Sequence, residues 1–263
     1  MKVIFSVKKK SNLSKTNPDS YRKKLTQNGV RINKYIASAG YCSRRAADKL
    51  IEAGKVSINS KKAELGSQIF PGDVVRINGK VIEPQKKEDF VYLAFNKPQG
   101  IICTANPEVE KNIISYINYP ERIFTIGRLD KDSEGLILLT NNGDIFNKIV
   151  RAEYEHEKEY VVEVDRPYGK KFLENMAQGV KILDTVTNPA KVEPISATTF
   201  KLIITQGLNR QIRRMCKALG YEVVFLQRIR IINISLNELP IGEYRNLSQQ
   251  ELTELFRIID YKI

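Results

Sequence analysis

The sequence holds one histidine, three cysteines and no tryptophan in 263 residues. Cys42, Cys103 and Cys216 stand far apart, form no Cys-x-x-Cys pair and have only His156 to join them. Zinc centres of the usual ligand types need more donors than that. An odd, scattered cysteine set also argues against a disulfide framework and fits a reducing compartment. No apolar run approaches the roughly 20 residues that span a bilayer. Met1 to Lys10 carries a short apolar patch ahead of three lysines, which is not the pattern of a secretory leader. The expectation is a soluble cytoplasmic protein with no metal and no cofactor. His156 sits in a Glu-rich stretch and reads as an exposed structural residue.

What the chain has in excess is positive charge, and it is unevenly placed. The net charge is +13. Residues 1–30 hold eight Lys/Arg against one Asp, and residues 31–83 hold ten against five Asp/Glu. The remaining residues are close to neutral. A basic front end on a near-neutral body suggests a docking module for a polyanion, nucleic acid ahead of all others.

Residues 1–29 are polar and rich in Lys, Ser and Asn, and read as a flexible basic arm. A compact unit follows over 30–83. Ile32, Tyr35 and Ile36 have helical spacing, with Gly40 as a stop signal. Ser43 reads as the N-cap of a helix to about Ala53, whose apolar face is Ala46, Ala47, Leu50 and Ile51. Strands are expected at Val56–Asn59 and Val74–Asn78, and Asn78-Gly79 is a hairpin turn. Residues 84–90 form a charged linker, and the body occupies 91–263. There the expected elements are strands at 91–95, 136–140, 160–164, 190–195, 200–205 and 223–234. Helices are expected near 143–151, at 170–178, in the stretch that Gly207–Cys216 leads to about Leu219 with Gly220 at its end, and at 248–259. Strands and helices interleave without regular alternation, so the fold class is α+β with a mixed, mostly antiparallel sheet.

Two stretches carry chemistry. In Gly127-Arg128-Leu129-Asp130, a Gly-bounded polar loop presents a cation and a carboxylate, then enters the apolar run 136–140. In Asn209-Arg210-Gln211-Ile212-Arg213-Arg214, arginines gather at a helix start. Arg210 and Arg214 are four residues apart and share a face suited to phosphates. Glu157-Lys158-Glu159-Tyr160 opens a strand, and by pattern alone Tyr160 is equally an ordinary core aromatic.

These segments resemble, in order, motifs of pseudouridine synthases of the small-subunit pseudouridine synthase A branch. The N-terminal text Val30–Ala37, Cys42–Asp48 and Gly54–Asn59 resembles the alpha-L RNA-binding module named for a small-subunit ribosomal protein. Asn96-Lys97-Pro98-Gln99-Gly100 resembles the turn that opens the catalytic domain. The resemblance implies that Asp130 is the essential carboxylate, that Tyr160 stacks on the target base, and that Arg213 pairs with Asp130. It further implies that Arg128 fills the space of the flipped nucleotide and that Ile212 packs on the far side of the uracil. Arg210 and Arg214 would contact phosphates, and Arg31, Asn33, Lys34, Ser43, Arg44 and Arg45 would lie near the RNA backbone. Cations at a helix start oppose the helix dipole, a mismatch that a polyanion relieves; a merely solvated pair is the plainer account of Arg44 and Arg45. Within the branch, residues 209–216, 220–223 and 226–231 most resemble enzymes of the large ribosomal subunit, which implies 23S ribosomal RNA as partner for a monomeric enzyme.

Such an enzyme breaks the bond between C1′ and the uracil nitrogen, turns the base and joins C5 to C1′. It must extract the nucleotide, clamp the base and exclude water. Three alternatives stay open on sequence alone: a non-catalytic RNA-binding or ribosome-assembly factor, a synthase acting on small-subunit ribosomal RNA or transfer RNA, and a metal-dependent RNA hydrolase. Asp132 and Asp144 are the rival carboxylates within the loop region.

Overall fold

The structure, a computed structural model, describes residues 29–262; the expected arm at 1–29 lies outside it but for Gly29. The chain divides into two compact units, one up to Lys86 and one from Lys87.

The first unit contains β1 (Val30–Arg31), α1 (Ile32–Ser38), α2 (Arg44–Glu52), β2 (Val56–Ile58), β3 (Lys61–Lys62), β4 (Gln68–Ile69), β5 (Val75–Ile77) and β6 (Lys80–Ile82). Ser43 caps α2 as expected, its Oγ accepting from the Ala46 amide at 3.1 Å. Asn78 and Gly79 both take positive φ, the backbone that a two-residue β5–β6 hairpin requires. Ile32, Ile36, Ala47, Ile51, Val56, Val75 and Ile77 close a small core between the helices and an antiparallel sheet in the order β3-β2-β5-β6.

The second unit contains β7 (Tyr92–Lys97), α3 (Ile113–Ile117), β8 (Phe124–Ile126), β9 (Glu134–Thr140), α4 (Phe146–Val150), β10 (Lys158–Val164), α5 (Lys170–Gln178), β11 (Lys181–Ile182) and β12 (Thr185–Val186). It continues with β13 (Lys191–Pro194), β14 (Thr199–Ile204), α6 (Gln211–Ala218), β15 (Val223–Ile231), β16 (Ile234–Ser235), β17 (Tyr244–Asn246) and α7 (Gln249–Ile258). The main sheet runs β13-β14-β10-β15-β9-β7-β17, with β8 paired to β9 and β16 to β15. Its named strands pair antiparallel except β15 with β9. The fold is therefore α+β with a mixed, mostly antiparallel sheet. No helix among the described residues is long and apolar enough to cross a membrane.

Alternation along the central strands places a core on each face. From β9, Ile137 and Leu139 join Phe95, Tyr160, Val162, Phe200, Phe172 of α5 and Met215 of α6. Leu136 and Leu138 point the other way, onto Ile149 of α4 and Leu255 and Phe256 of α7. A strand covered on both faces reads as a continuous apolar run, as Leu136–Leu139 does.

Several boundaries differ from expectation. The helix near 143–151 shrinks to α4, because Thr140 Oγ1 accepts the Asn142 amide and Asn142 Oδ1 accepts the Asp144 amide, holding that segment as a turn. The strand expected over 223–234 is a hairpin: Ile232 takes φ 55°, and β16 folds back on β15. His156 is half-buried, its Nε2 2.8 Å from the Lys148 carbonyl, and burial lowers its pKa. Helix α3, strand β8 and the edge strand β17 had no sequence counterpart.

Candidate active site

The loop between β8 and β9 carries Arg128, Leu129, Asp130 and Asp132, and it is pinned along its length. Gly127 starts it at φ 79°. Leu129 turns inward, with its amide 3.4 Å from Cys103 Sγ. The Asp130 carbonyl accepts from the Ser133 amide at 3.2 Å, closing a turn. The Lys131 carbonyl accepts from Gly100 at 2.7 Å. Lys97, with no exposed surface, donates from Nζ to the Ser133 carbonyl at 2.7 Å and to the Pro98 carbonyl at 2.9 Å. Burial pushes the Lys97 pKa down. The loop that presents Asp130 is thus tied to the 97–103 segment by backbone and buried side-chain bonds.

A second tie comes from the start of α6. Arg210 sits just before the helix in the left-handed region, at φ 50°, an uncommon conformation for a side chain of this size. Its guanidinium grips the Asp132 carboxylate with two bonds of 3.0 Å and lies 3.7 Å from Asp130 Oδ2. This pairing holds the Asp132 pKa below the usual carboxylate range. Arg213 reaches the same loop, with Nη2 donating to the Asp132 carbonyl at 2.9 Å and Nη1 to the Val223 carbonyl at 2.9 Å. Its ion-pair partner is Asp132, at 3.4 Å, so the arginine within ion-pair distance of Asp130 is Arg210. Arg214 folds back on the Asn209 carbonyl at 3.0 Å. Arg128 is exposed and has no side-chain partner among the described residues.

A cavity of about 600 Å³ opens beside this loop. Asp130, Arg128, Arg210, Arg213, Ile212 and Tyr160 all line it. Tyr160, on β10, is 7% exposed and Ile212, at the start of α6, is 4% exposed, so each shows the cavity only a sliver of surface. The arrangement sets one carboxylate at the edge of an apolar pocket with guanidinium charge alongside. Among the described residues no group of three His, Cys, Asp or Glu could hold a metal ion.

Among the cavity residues that had been given no role by the sequence are Cys103, Lys158 and Arg228. Arg228 had a readable signal, since it shares strand parity with the buried Leu226 and so falls on an inward position. In the first unit, Arg44 and Arg45 are exposed as the first two residues of α2, and Arg31 is exposed just ahead of α1. Ser43 is engaged as a cap, Asn33 donates to Asp48 at 2.9 Å, and Lys34 is half-buried.

The sequence matches two family models: an RNA pseudouridylate synthase family over residues 91–218 and an S4 domain over residues 30–75. It is 52% identical over 236 residues to the dual-specificity RNA pseudouridine synthase RluF of Escherichia coli K12, covering 90% of this chain and 81% of that one. It is 37% identical to the ribosomal large subunit pseudouridine synthase B of Bacillus subtilis, covering 88% and 97%. A crystal structure of a pseudouridylate synthase superposes with a TM-score of 0.64 at 32% identity, covering 86% of this chain and 99% of the other.

Proposed function

Because the chain belongs to the RNA pseudouridylate synthase family, we propose that it isomerises a specific uridine of large-subunit (23S) ribosomal RNA with Asp130 as the reacting carboxylate. One observation carries the site: Asp130, Tyr160 and Ile212 line a single cavity of about 600 Å³. The loop bearing Asp130 is anchored on both sides.

In this reading the unit at 30–83 docks RNA through Arg31, Lys34, Arg44 and Arg45, with Asn33 and Ser43 shaping that surface. The arm at 1–29 adds charge, 84–90 links, and 91–263 carries the chemistry. Arg128, which has no partner among the described residues, takes the place of the extruded nucleotide and so lowers the cost of extraction. Tyr160 and Ile212 clamp the uracil. Asp130 adds to C1′ or takes a proton from C2′, the uracil leaves, turns, and bonds to C1′ through C5. Arg210 sets a positive charge 3.7 Å from Asp130, Arg213 holds the loop, and Arg214 meets phosphate. The enzyme works as a cytoplasmic monomer without metal or cofactor.

The large-subunit target draws support from the name of the Bacillus subtilis relative. The name of the Escherichia coli relative, a dual-specificity enzyme, favours a second substrate, a transfer RNA or a small-subunit site. Pseudouridine mapping by carbodiimide adducts and primer extension, in cells lacking the protein, tests both. One large-subunit site lost, then restored by wild type and not by Asp130→Asn, is the expected result. An unchanged ribosomal map, or full rescue by Asp130→Asn, overturns the target or the carboxylate assignment respectively.

A further inference from the structure

Arg228 is the most deeply buried arginine on the cavity wall, 4% exposed. Its Nε donates to the Leu136 carbonyl at 2.7 Å and its Nη1 to the Arg128 carbonyl at 3.4 Å. Its Nη2 has no acceptor. Among the described residues no carboxylate forms an ion pair with it. A buried guanidinium facing only neutral carbonyls, with one donor idle, is a costly arrangement unless something else uses the charge.

Its position says what that is. Arg228 lies directly opposite Tyr160 in the β10–β15 register, and residues opposed in an antiparallel pair project from the same face of the sheet. Lys158, on the same cavity wall, donates only to the His156 carbonyl, at 2.9 Å. Burial first, and the nearby charge of Arg228 second, lower the Lys158 pKa to about 8. Two cations therefore stand beside Tyr160 with no carboxylate bridging them. Arg210 and Arg214 are exposed, open to a phosphate.

We propose that Arg228, assisted by Lys158, stabilises the negative charge of the departing uracil. When the C1′–N1 bond breaks, its electron pair stays with the uracil and spreads from N1 onto the O2 and O4 carbonyls. The Arg228 guanidinium and the Lys158 ammonium, both on the cavity wall, attract that charge through space. After C5 bonds to C1′, the proton on C5 is lost and N1 gains one, so the reaction remains an isomerisation. Donors fixed in advance at a developing anion in a dry site contribute strongly to rate. The inference rests on Asp130 and Tyr160 marking the uridine site.

The test is a single-turnover rate of C1′–N1 cleavage, read as loss of the target nucleoside, with excess enzyme on a large-subunit RNA transcript made with uridine or with 5-fluorouridine, which has no C5 proton to lose and so stops after C5 bonds to C1′. Fluorine withdraws electrons and makes the base a better leaving group. Arg228→Gln should lower the rate on uridine RNA by about 100-fold while RNA affinity stays within about threefold. The deficit should shrink to about tenfold or less on 5-fluorouridine RNA, because less stabilisation is required. Lys158→Gln should show the same pattern more weakly, and it serves as the deciding variant if Arg228→Gln does not fold by circular dichroism. Equal deficits on both RNAs assign Arg228 a structural role and overturn the proposal, as does a loss confined to affinity. Asp130→Asn run in parallel separates the two readings, since activity in that variant discredits the site rather than Arg228.

Discussion

Asp132 holds two arginines to the Asp130 loop while itself standing half exposed. Asp132→Asn removes the ion pairs yet keeps the shape. The loosened loop should cost about tenfold in single-turnover rate, with RNA affinity retained. The acid limb checks the electrostatics. The folded-state pKa of Asp132 is lowered, so its contribution is present above the unfolded pKa and lost as pH falls through the folded one. The stability gap between wild type and Asp132→Asn should therefore close below about pH 4. A gap that persists unchanged to lower pH excludes the pair as its source. Lys158 works in the opposite direction. Its folded pKa, about 8, lies below the unfolded value, so the folded state gives up its proton first. Replacement by Met should stabilise the protein at pH 7, and that advantage should fade between about pH 8 and 10.5, read by urea melts at each pH.

The elements that make the site depend on one close approach of backbone. Gly135 of β9 pairs in parallel with Arg228 of β15, at φ 101°, and a Cβ built there would collide with the Arg228 carbonyl oxygen. Gly135→Ala must separate the two central strands or strain the backbone, at a cost of about 3–5 kcal/mol from overpacking and left-handed strain together. Gly100→Ala is the control in the same unit. It has φ 86° but open space around its Cβ, so it should cost only about 1–2 kcal/mol in denaturant melts. Equal losses would refute the close-approach account. The same neighbourhood shows where the sequence was readable. The Asp130 loop, the Ser43 cap, the Asn78-Gly79 hairpin and the continuous run of β9 declare themselves through local chemistry. Helix α3 and strands β8 and β17 do not, because five or fewer residues of ordinary composition take their conformation from tertiary contacts. The arginine pattern was legible as a cluster, whereas the gathering of Arg210 and Arg213 on Asp132, with Arg210 also within 3.7 Å of Asp130, depends on the left-handed turn at Arg210, which no spacing rule announces.

At the scale of the whole molecule, charge and chemistry are divided between the two units. The sequence up to residue 83 carries nearly all of the net +13, whereas the cavity with Asp130 belongs wholly to the near-neutral second unit. Attraction to RNA phosphates is sequence-independent and weakened by salt, whereas the isomerisation needs only the local geometry of the cavity. Substitutions in the first unit should therefore act on affinity and leave the bound complex's rate alone. Arg44 and Arg45 are exposed at the start of α2, where each adds a positive charge to a helix end that already favours anions. Replacing both with Ala should weaken RNA binding at low salt. It should also reduce the slope of log affinity against log salt by about 1.4–1.8, the value for two lost phosphate contacts. The single-turnover rate at saturating enzyme should match wild type. A slope left unchanged would mean that the two arginines are only solvated. A fall in the saturated rate would mean instead that the first unit takes part in presenting the uridine, so the salt series and the saturated rate together distinguish docking from orientation.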